Sequence, residues 1–211
     1  EGAVLVRQSE NLVEAGGVEV VRWRRPLLID AAHDVNFAVA RADCRRAAYT
    51  APSVWKYFGE LTGTTLPQVS TNSCQDAPVQ RGAYPVVVFT HGYTGTFTDY
   101  TFLFEDLASR GYIVASVNHT YEATASAFPD GQLAKSVLGS HLGKALRTDD
   151  QALTLALSTR LADLKFVADQ LTRLDRNATS PLAGHLDLAS MAVAGHSFGG
   201  LTALEALQRC D

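Results

Sequence analysis

A short apolar run, a Gly-x-Ser-x-Gly turn and a helical pattern follow one another without interruption near the end of the sequence. The run spans 191–194, Ser197 stands between Gly195 and Gly199, and leucines recur at helical spacing over 201–207. A side chain at either glycine would collide with the neighbouring strand or helix, so steric limits set this spacing. The pattern predicts a nucleophile elbow that exposes the Ser197 hydroxyl at the end of a strand. The alternative is a structural serine in a glycine-rich turn.

Composition restricts the classes of partner. A chain of 211 residues with 46% hydrophobic residues can bury one sizeable core. Its net charge of -4 offers no general basic surface for nucleic acid. No stretch approaches the roughly 18 apolar residues of a membrane span, so we expect membrane contact to be peripheral at most. The sequence starts with Glu1, which is compatible with a removed leader. Compartment and oligomeric state stay open, with a slight preference for an extracytoplasmic location.

The three cysteines do not indicate a metal site. Cys44, Cys74 and Cys210 form an odd set without the spacing of metal ligands. Either Cys44 and Cys74 form a disulfide in a secreted protein, or the three are unrelated buried thiols. The sequence implies no metal and no organic cofactor.

The first 82 residues are predicted to form a hairpin and an irregular segment. Strands over 18–29 and 35–40 are expected to pair through a polar turn at the edge of a sheet. Residues 43–82 are rich in Thr, Ser, Pro, Gln and Gly and predict a long irregular loop. Its aromatic side chains either cover part of the site or anchor the loop to the body. They are Trp55, Tyr57 and Phe58.

The following segment has the pattern of a βαβ unit. Residues 85–90 form a continuous β-branched run, which is typical of a strand buried on both faces. A helix is predicted over 99–110 with Thr98 or Asp99 as its N-cap, and 112–117 is the next strand. This order predicts a right-handed crossover and a parallel sheet.

A loop and a long helix are predicted before the elbow. Residues 118–135 form the loop, with a turn signal at 129–131. Thr148 and Gln151 have the spacing of a capping box at the start of a helix over 149–175. Apolar residues recur in that helix at spacings of three and four. They are Leu153, Leu157, Leu161, Leu164, Ala168, Leu171 and Leu174.

A serine nucleophile also needs donors for the oxyanion that forms on the attacked carbonyl. His91 and Gly92 follow the buried strand, and Gly92 allows a sharp turn that directs the N–H of Tyr93 towards Ser197. The N–H of Phe198, at the start of the helix, is the second predicted donor. An ordinary β-turn at His91-Gly92 is the alternative.

Four segments within 83–210 carry a family resemblance. They are Phe-Thr-His-Gly-Tyr-Thr-Gly at 89–95, Asp-Leu-Ala-Ser-Arg-Gly-Tyr at 106–112 with the strand up to His119, Arg-Leu-Ala-Asp-Leu-Lys-Phe-Val at 160–167, and Gly-His-Ser-Phe-Gly-Gly at 195–200. Together they resemble the platelet-activating-factor acetylhydrolase type of α/β-hydrolase. Dienelactone-hydrolase-like and polyester-degrading esterases share the same skeleton.

The resemblance implies a fold, an activity and site residues. The implied fold is a mostly parallel sheet of eight strands with helices on both faces. The implied activity is hydrolysis of short acyl esters, including the acetyl group of ether phospholipids. Ser197 would be the nucleophile, and Tyr93 and Phe198 would donate their backbone N–H groups to the oxyanion.

The general base and its acid are not found after the serine. In this fold the order is serine, acid, histidine, yet all six histidines precede Ser197. His119 lies at the carboxyl end of a strand, where a structural or substrate-lining role is favoured over that of base. His91, His119 and Tyr121 are the predicted pocket lining. We expect one incomplete domain over 1–211, with the later strands and the triad Asp and His outside it, and little activity from this chain alone.

The prediction for function is a serine esterase that acts on a small-molecule ester or a short-acyl phospholipid through an acyl-enzyme on Ser197. A peptidase, amidase or lipase of the same fold is the first alternative. A non-catalytic scaffold is the second, because fold alone does not fix function. Acyl and leaving-group specificity stay open.

Overall fold

The computed structural model describes residues 44–75, 77–128, 130–136 and 149–209, together with the backbone of four short strands before residue 31. Those strands are β1 (Ala3–Val6), β2 (Leu12–Ala15), β3 (Val18–Val21) and β4 (Leu28–Asp30). The later strands are β5 (Arg46–Ala48), β6 (Ser70–Cys74), β7 (Tyr84–Thr90), β8 (Ile113–Val117), β9 (Ala125–Ala127), β10 (Leu133–Lys135) and β11 (Leu186–Gly195). The helices are α1 (Pro52–Thr62), α2 (Thr101–Ser109), α3 (Asp150–Arg176) and α4 (Phe198–Arg209).

Five strands form the central sheet in the order β11-β7-β8-β1-β4. The first four are parallel, and β4 pairs antiparallel with β1 at one edge. In the register of this sheet Gly195 pairs with Thr90, and Thr90 pairs with Val117. The carboxyl ends of β11, β7 and β8 are therefore level, so the residues that follow each strand meet at one edge of the sheet.

Helices cover both faces of the sheet. The side chains of β7 alternate, with Val86 and Val88 in one core and Val87 and Phe89 in the other. Helices α3 and α4 pack in the first core, while Phe104 of α2 lies in the second with its ring centroid 4.9 Å from that of Phe89. The predicted βαβ order, the strand buried on both faces and the α/β fold are confirmed.

The N-terminal strand prediction is wrong in its pairing. Residues 18–29 do not form one strand, because β3 pairs antiparallel with β2 and β4 pairs with β1. The two residues between β2 and β3 in the sequence are Gly16 and Gly17, a pair that favours a tight hairpin turn. The predicted strand over 35–40 lies outside the described residues.

The segment 43–82 is not irregular, which corrects the second N-terminal prediction. It contains β5 and β6, which pair antiparallel, and the helix α1 between them. Pro52 opens α1, and Gly63 closes it with a φ of 66° that favours glycine. A disulfide joins Cys44 to Cys74, as the first of the two interpretations of these cysteines has it.

The aromatic residues of α1 pack within the protein. The Trp55 ring meets those of Tyr49 and Phe58 edge-on, with centroids 5.6 and 6.2 Å apart. The Lys135 Nζ lies 4.4 Å from the centre of the Tyr57 ring and joins α1 to β10. These contacts favour the anchoring interpretation.

Three further segments differ from expectation in detail. The loop over 118–135 contains the antiparallel pair β9 and β10, with the predicted turn between them. The N-cap of α3 is Asp149, whose carboxylate accepts from the N–H groups of Gln151 and Ala152. The N-cap of α2 is Tyr100, since the Asp99 side chain accepts bonds from Thr96 instead.

Within the described part of the chain, no helix has the length and apolar character needed to cross a membrane.

Candidate active site

Ser197 occupies a strained turn between β11 and α4. Its φ is 53°, a left-handed conformation that a non-glycine residue adopts rarely, and its side chain is exposed. A Cβ on Gly195 would lie 2.4 Å from the backbone of Gly199, and a Cβ on Gly199 would lie 2.0 Å from the Thr90 carbonyl oxygen. Only glycine fits at these two positions, so the local geometry is that of the predicted elbow.

The turn after β7 packs directly against this serine. A Cβ on Gly92 would lie 3.5 Å from the Ser197 Cβ and 3.2 Å from His196 Nδ1. The Gly95 N–H donates to the Gly92 carbonyl at 3.0 Å and closes the turn. Phe198 follows Ser197 directly, and Tyr93 follows Gly92, so the two residues predicted to donate to the oxyanion adjoin Ser197 and the glycine packed against it.

His91 and His119 are buried beneath this turn and do not line a pocket, which corrects the prediction for both. Their side chains are 0% and 2% exposed. The His91 Nδ1–H donates to the Gly92 carbonyl at 2.7 Å, and His91 Nε2 accepts from the His119 backbone N–H at 3.3 Å. Helix α3 covers both residues with polar side chains that contact them. Tyr121 is 36% exposed, so its place in a pocket lining stays a prediction.

Thr90, His119 and Asp163 have the connectivity of a catalytic triad, but the threonine and the histidine are buried. Thr90 Oγ1 lies 2.7 Å from His119 Nε2, and His119 Nδ1 lies 2.7 Å from Asp163 Oδ2. Thr90 is 0% exposed, so no substrate reaches its hydroxyl. These contacts favour a structural role for His119 over that of general base.

Burial keeps this histidine pair neutral. Desolvation, followed by the nearby Arg160 charge, lowers the pKa of His119 to about 3. Desolvation also holds the pKa of His91 well below its usual range, with His119 and Arg160 acting in the same direction. The pKa of Asp163 is raised to about 7 by burial, against the opposing effect of Arg160.

The other histidines lie elsewhere. The His196 ring is 5.4 Å from that of Tyr100, and His185 Nδ1 donates to the Gly82 carbonyl at the far end of β7. His33 and His141 lie outside the described residues. No group of three His, Cys, Asp or Glu side chains suited to a metal ion occurs among the residues that the structure describes.

The sequence analysis missed the ion pair at the centre of this layer. Arg160, on α3, is fully buried, and both carboxylate oxygens of Glu122 accept hydrogen bonds from it. Arg160 occupies one position of the buried stripe of α3, which continues through Leu164, Val167 and Leu171. The available signal was an arginine among the apolar positions of this helix. Such a position indicates a buried charge, and a buried charge needs a dedicated partner.

The sheet, the elbow and the turn above it define a protein of the α/β-hydrolase fold. A family model described as platelet-activating factor acetylhydrolase, isoform II, matches residues 50–140. The platelet-activating factor acetylhydrolase of Canis lupus familiaris is 30% identical over 180 residues, which cover 71% of this chain and 38% of that protein. That of Cavia porcellus is 28% identical over 177 residues, with 72% and 38% covered.

A solved esterase has a similar fold. The ferulic acid esterase from Streptomyces cinnamoneus superposes with a TM-score of 0.62 at 26% identity, covering 98% of this chain and 55% of that one. The chain spans 38% of the length of the curated relatives that it matches. It is a relative of the platelet-activating factor acetylhydrolases, and the resemblance inferred from its motifs is confirmed.

Proposed function

We propose that the protein is a carboxylic-ester hydrolase in which Ser197 is the nucleophile. The observation that carries the proposal is the strained, exposed Ser197 between two glycines that no larger residue can replace. Backbone strain persists only where the surroundings enforce it, and it concentrates at functional sites. The names of the acetylhydrolase and esterase relatives support the same reaction class.

The proposed reaction passes through an acyl-enzyme. A general base takes the proton of the Ser197 hydroxyl, and the Oγ attacks the ester carbonyl. The N–H groups of Tyr93 and Phe198 donate to the oxyanion of the tetrahedral intermediate. Collapse of the intermediate breaks the bond to the alcohol, which leaves with the proton from the base. Water then attacks the acyl group and regenerates Ser197.

We assign the general base to a histidine other than His91 and His119. Both rings are buried and committed to hydrogen bonds. In this fold an acid and then a histidine usually follow the nucleophilic serine in the chain, so we propose that both come from a later part of the full-length protein.

The proposed substrates are esters with short acyl groups, in line with the acetylhydrolase relatives. Initial rates on p-nitrophenyl acetate, butyrate and decanoate, and on methyl ferulate, test this specificity. We expect kcat/KM to fall as the acyl chain lengthens. The highest kcat/KM on methyl ferulate would instead favour the specificity named for the esterase neighbour.

The nucleophile is tested by Ser197→Ala in the full-length protein, with Ser158→Ala as its control. Ser158 is an exposed serine of α3 whose hydroxyl bonds only within the helix. We expect Ser197→Ala to lower kcat on p-nitrophenyl acetate by on the order of 10⁴-fold or more. Ser158→Ala should stay within twofold of wild type. A Ser197→Ala activity within tenfold of wild type would overturn the assignment.

A further inference from the structure

One buried guanidinium contacts the turn that leads into Tyr93 and the ring of Phe198, the two residues to which the proposed function assigns oxyanion donors. Arg160 Nη2 donates to the Gly92 carbonyl at 3.3 Å, and Nη1 donates to the His91 carbonyl at 2.6 Å. The Arg160 Cζ lies 4.6 Å from the centre of the Phe198 ring, within the range of a cation–π contact. The same side chain thus touches the turn that leads into Tyr93 and the first residue of α4.

Because the peptide bond is planar, the hydrogen bond from Arg160 to the Gly92 carbonyl also sets the direction of the Tyr93 N–H. In a trans peptide the carbonyl oxygen and the following N–H point in opposite directions. The Gly92 carbonyl accepts from Arg160, from His91 Nδ1 and from the Gly95 N–H. Fixing that carbonyl on the buried side therefore directs the Tyr93 N–H away from Arg160.

The second contact fixes the start of α4. The Phe198 ring packs on the guanidinium, while the Phe198 backbone follows Ser197 directly at the elbow. A ring held in place limits rotation of the first turn of α4 relative to the turn after β7. The guanidinium thus contacts both the turn that leads into Tyr93 and the residue that carries the second predicted donor.

All five N–H donors of Arg160 are used within this layer. A guanidinium has five N–H donors, and Arg160 makes five hydrogen bonds: two to the Glu122 carboxylate, one to Thr90 Oγ1, and one each to the carbonyls of His91 and Gly92. Glu122 balances its charge. The planar fork of arginine is needed for this set, because a lysine ammonium has three donors on one atom.

We propose that Arg160 is a positioning residue for catalysis, which holds the Gly92–Tyr93 peptide and the Phe198 ring so that both N–H donors face one oxyanion. The proposal rests on the proposed esterase function. It differs from a purely structural role because it requires the rate of the chemical step to depend on the guanidinium in molecules that are fully folded.

The test is Arg160→Lys in the full-length protein, with Arg173→Lys as its control. Arg173 is an exposed arginine on the same helix, so the two variants carry the same chemical change at buried and exposed positions. Active sites are counted by titration with a fluorophosphonate, and kcat, KM and the Ki of a trifluoromethyl ketone are measured per titrated site. The ketone forms a tetrahedral oxyanion on the serine and reports on the same two donors.

We expect kcat per site to fall about 10²-fold in Arg160→Lys, because a misplacement of about 1 Å costs this much. The Ki of the ketone should rise by a similar factor, while KM changes less than threefold. Arg173→Lys should stay within twofold in each measure. An Arg160→Lys protein that has fewer active sites but wild-type kcat and Ki per site would overturn the proposal, because it would have lost only stability.

A second variant decides the question if Arg160→Lys does not fold. Phe198→Leu removes the ring from the guanidinium but keeps the backbone N–H, and we expect it to lower kcat per site about fivefold and raise the ketone Ki in parallel. Unchanged kcat and Ki in Phe198→Leu would overturn the proposal. Failure of the proposed function has a separate signature, since the wild type would then not hydrolyse p-nitrophenyl acetate or Ser197→Ala would stay active.

Discussion

Two buried glutamates of this protein have similar exposure and different surroundings. Glu105, on α2, accepts four hydrogen bonds from Asn72 and Ser73 of β6, at 2.7 to 3.1 Å, and all four donors are neutral. Glu122, in the loop after β8, faces the charged Arg160, which in turn holds the carbonyls of His91 and Gly92. The first glutamate joins a helix to the disulfide-linked pair of strands. The second is linked through Arg160 to Gly92 and to Phe198, which adjoin Ser197.

The difference separates residues that hold the scaffold from residues that shape the site. A carboxylate satisfied by neutral donors can be replaced with a loss of stability alone. A carboxylate that balances a buried charge cannot be removed without leaving that charge unpaired, and here the charge also contacts the turn above Ser197. We therefore expect changes around Glu105 to lower stability only, and changes around Glu122 to lower both stability and kcat.

The largest expected effect comes from the two Glu→Gln variants. Glu122→Gln should lower the free energy of unfolding by about 3 to 5 kcal/mol, since Arg160 loses its buried counter-charge. Glu105→Gln should cost about 1 to 3 kcal/mol, because the amide nitrogen cannot accept from its donors. Urea unfolding gives both values. Per titrated active site, kcat should fall only in Glu122→Gln, and an equal fall in Glu105→Gln would remove the distinction.

Removal of the disulfide tests whether the segment around Glu105 contributes to stability alone. The disulfide closes a separation of 30 residues, which corresponds to about 3 to 4 kcal/mol by loop-closure entropy. The double variant Cys44→Ala/Cys74→Ala should have a free energy of unfolding, measured in urea, that is lower by this amount. Its kcat per titrated site should equal that of wild type, and a loss of kcat in the folded variant would connect this segment to the site.

The smallest expected effect is a pH dependence in the layer beneath the site. Unfolded, His119 titrates near its usual pKa of 6.5 and Asp163 near 3.8; folded, the pKa values are about 3 and about 7. At pH 5 each state therefore holds one proton on the pair, and the wild-type pair contributes little change in stability between pH 4 and 6.5.

Asp163→Asn breaks this balance. Folded His119 then stays neutral while unfolded His119 binds a proton below pH 6.5, so stability falls as the pH is lowered. The loss by pH 5 should be about 2 kcal/mol relative to pH 7.5. Urea unfolding of wild type and variant at the two pH values measures it. A variant whose stability changes with pH as the wild type does would contradict the assignment of a neutral His119.

The sequence was sufficient to predict those elements that a local residue pattern specifies. The β-branched run of β7, the leucine repeat of α3 and the glycines around Ser197 each predicted the local structure, because burial and sterics act within a few residues. Helix α1 was missed although Pro52 and Gly63 mark its ends, since aromatic residues and surrounding polar composition suggested a loop.

The polar layer beneath the site could not be predicted from separate segments. Arg160, Glu122 and Thr90 lie up to 70 positions apart and meet only through the alignment of β7, β8 and α3. The same alignment explains the error on His91 and His119. Their positions at strand ends were predicted, but the direction of their side chains depends on α3 covering them.

The most direct test of the account is to map the residue that a fluorophosphonate labels in the full-length protein. After digestion, mass spectrometry should locate one stoichiometric adduct on the peptide that contains Ser197, and the adduct should be absent from Ser197→Ala. Labelling of a different residue in the wild type, or retained labelling in Ser197→Ala, would contradict the proposal that the elbow presents the nucleophile.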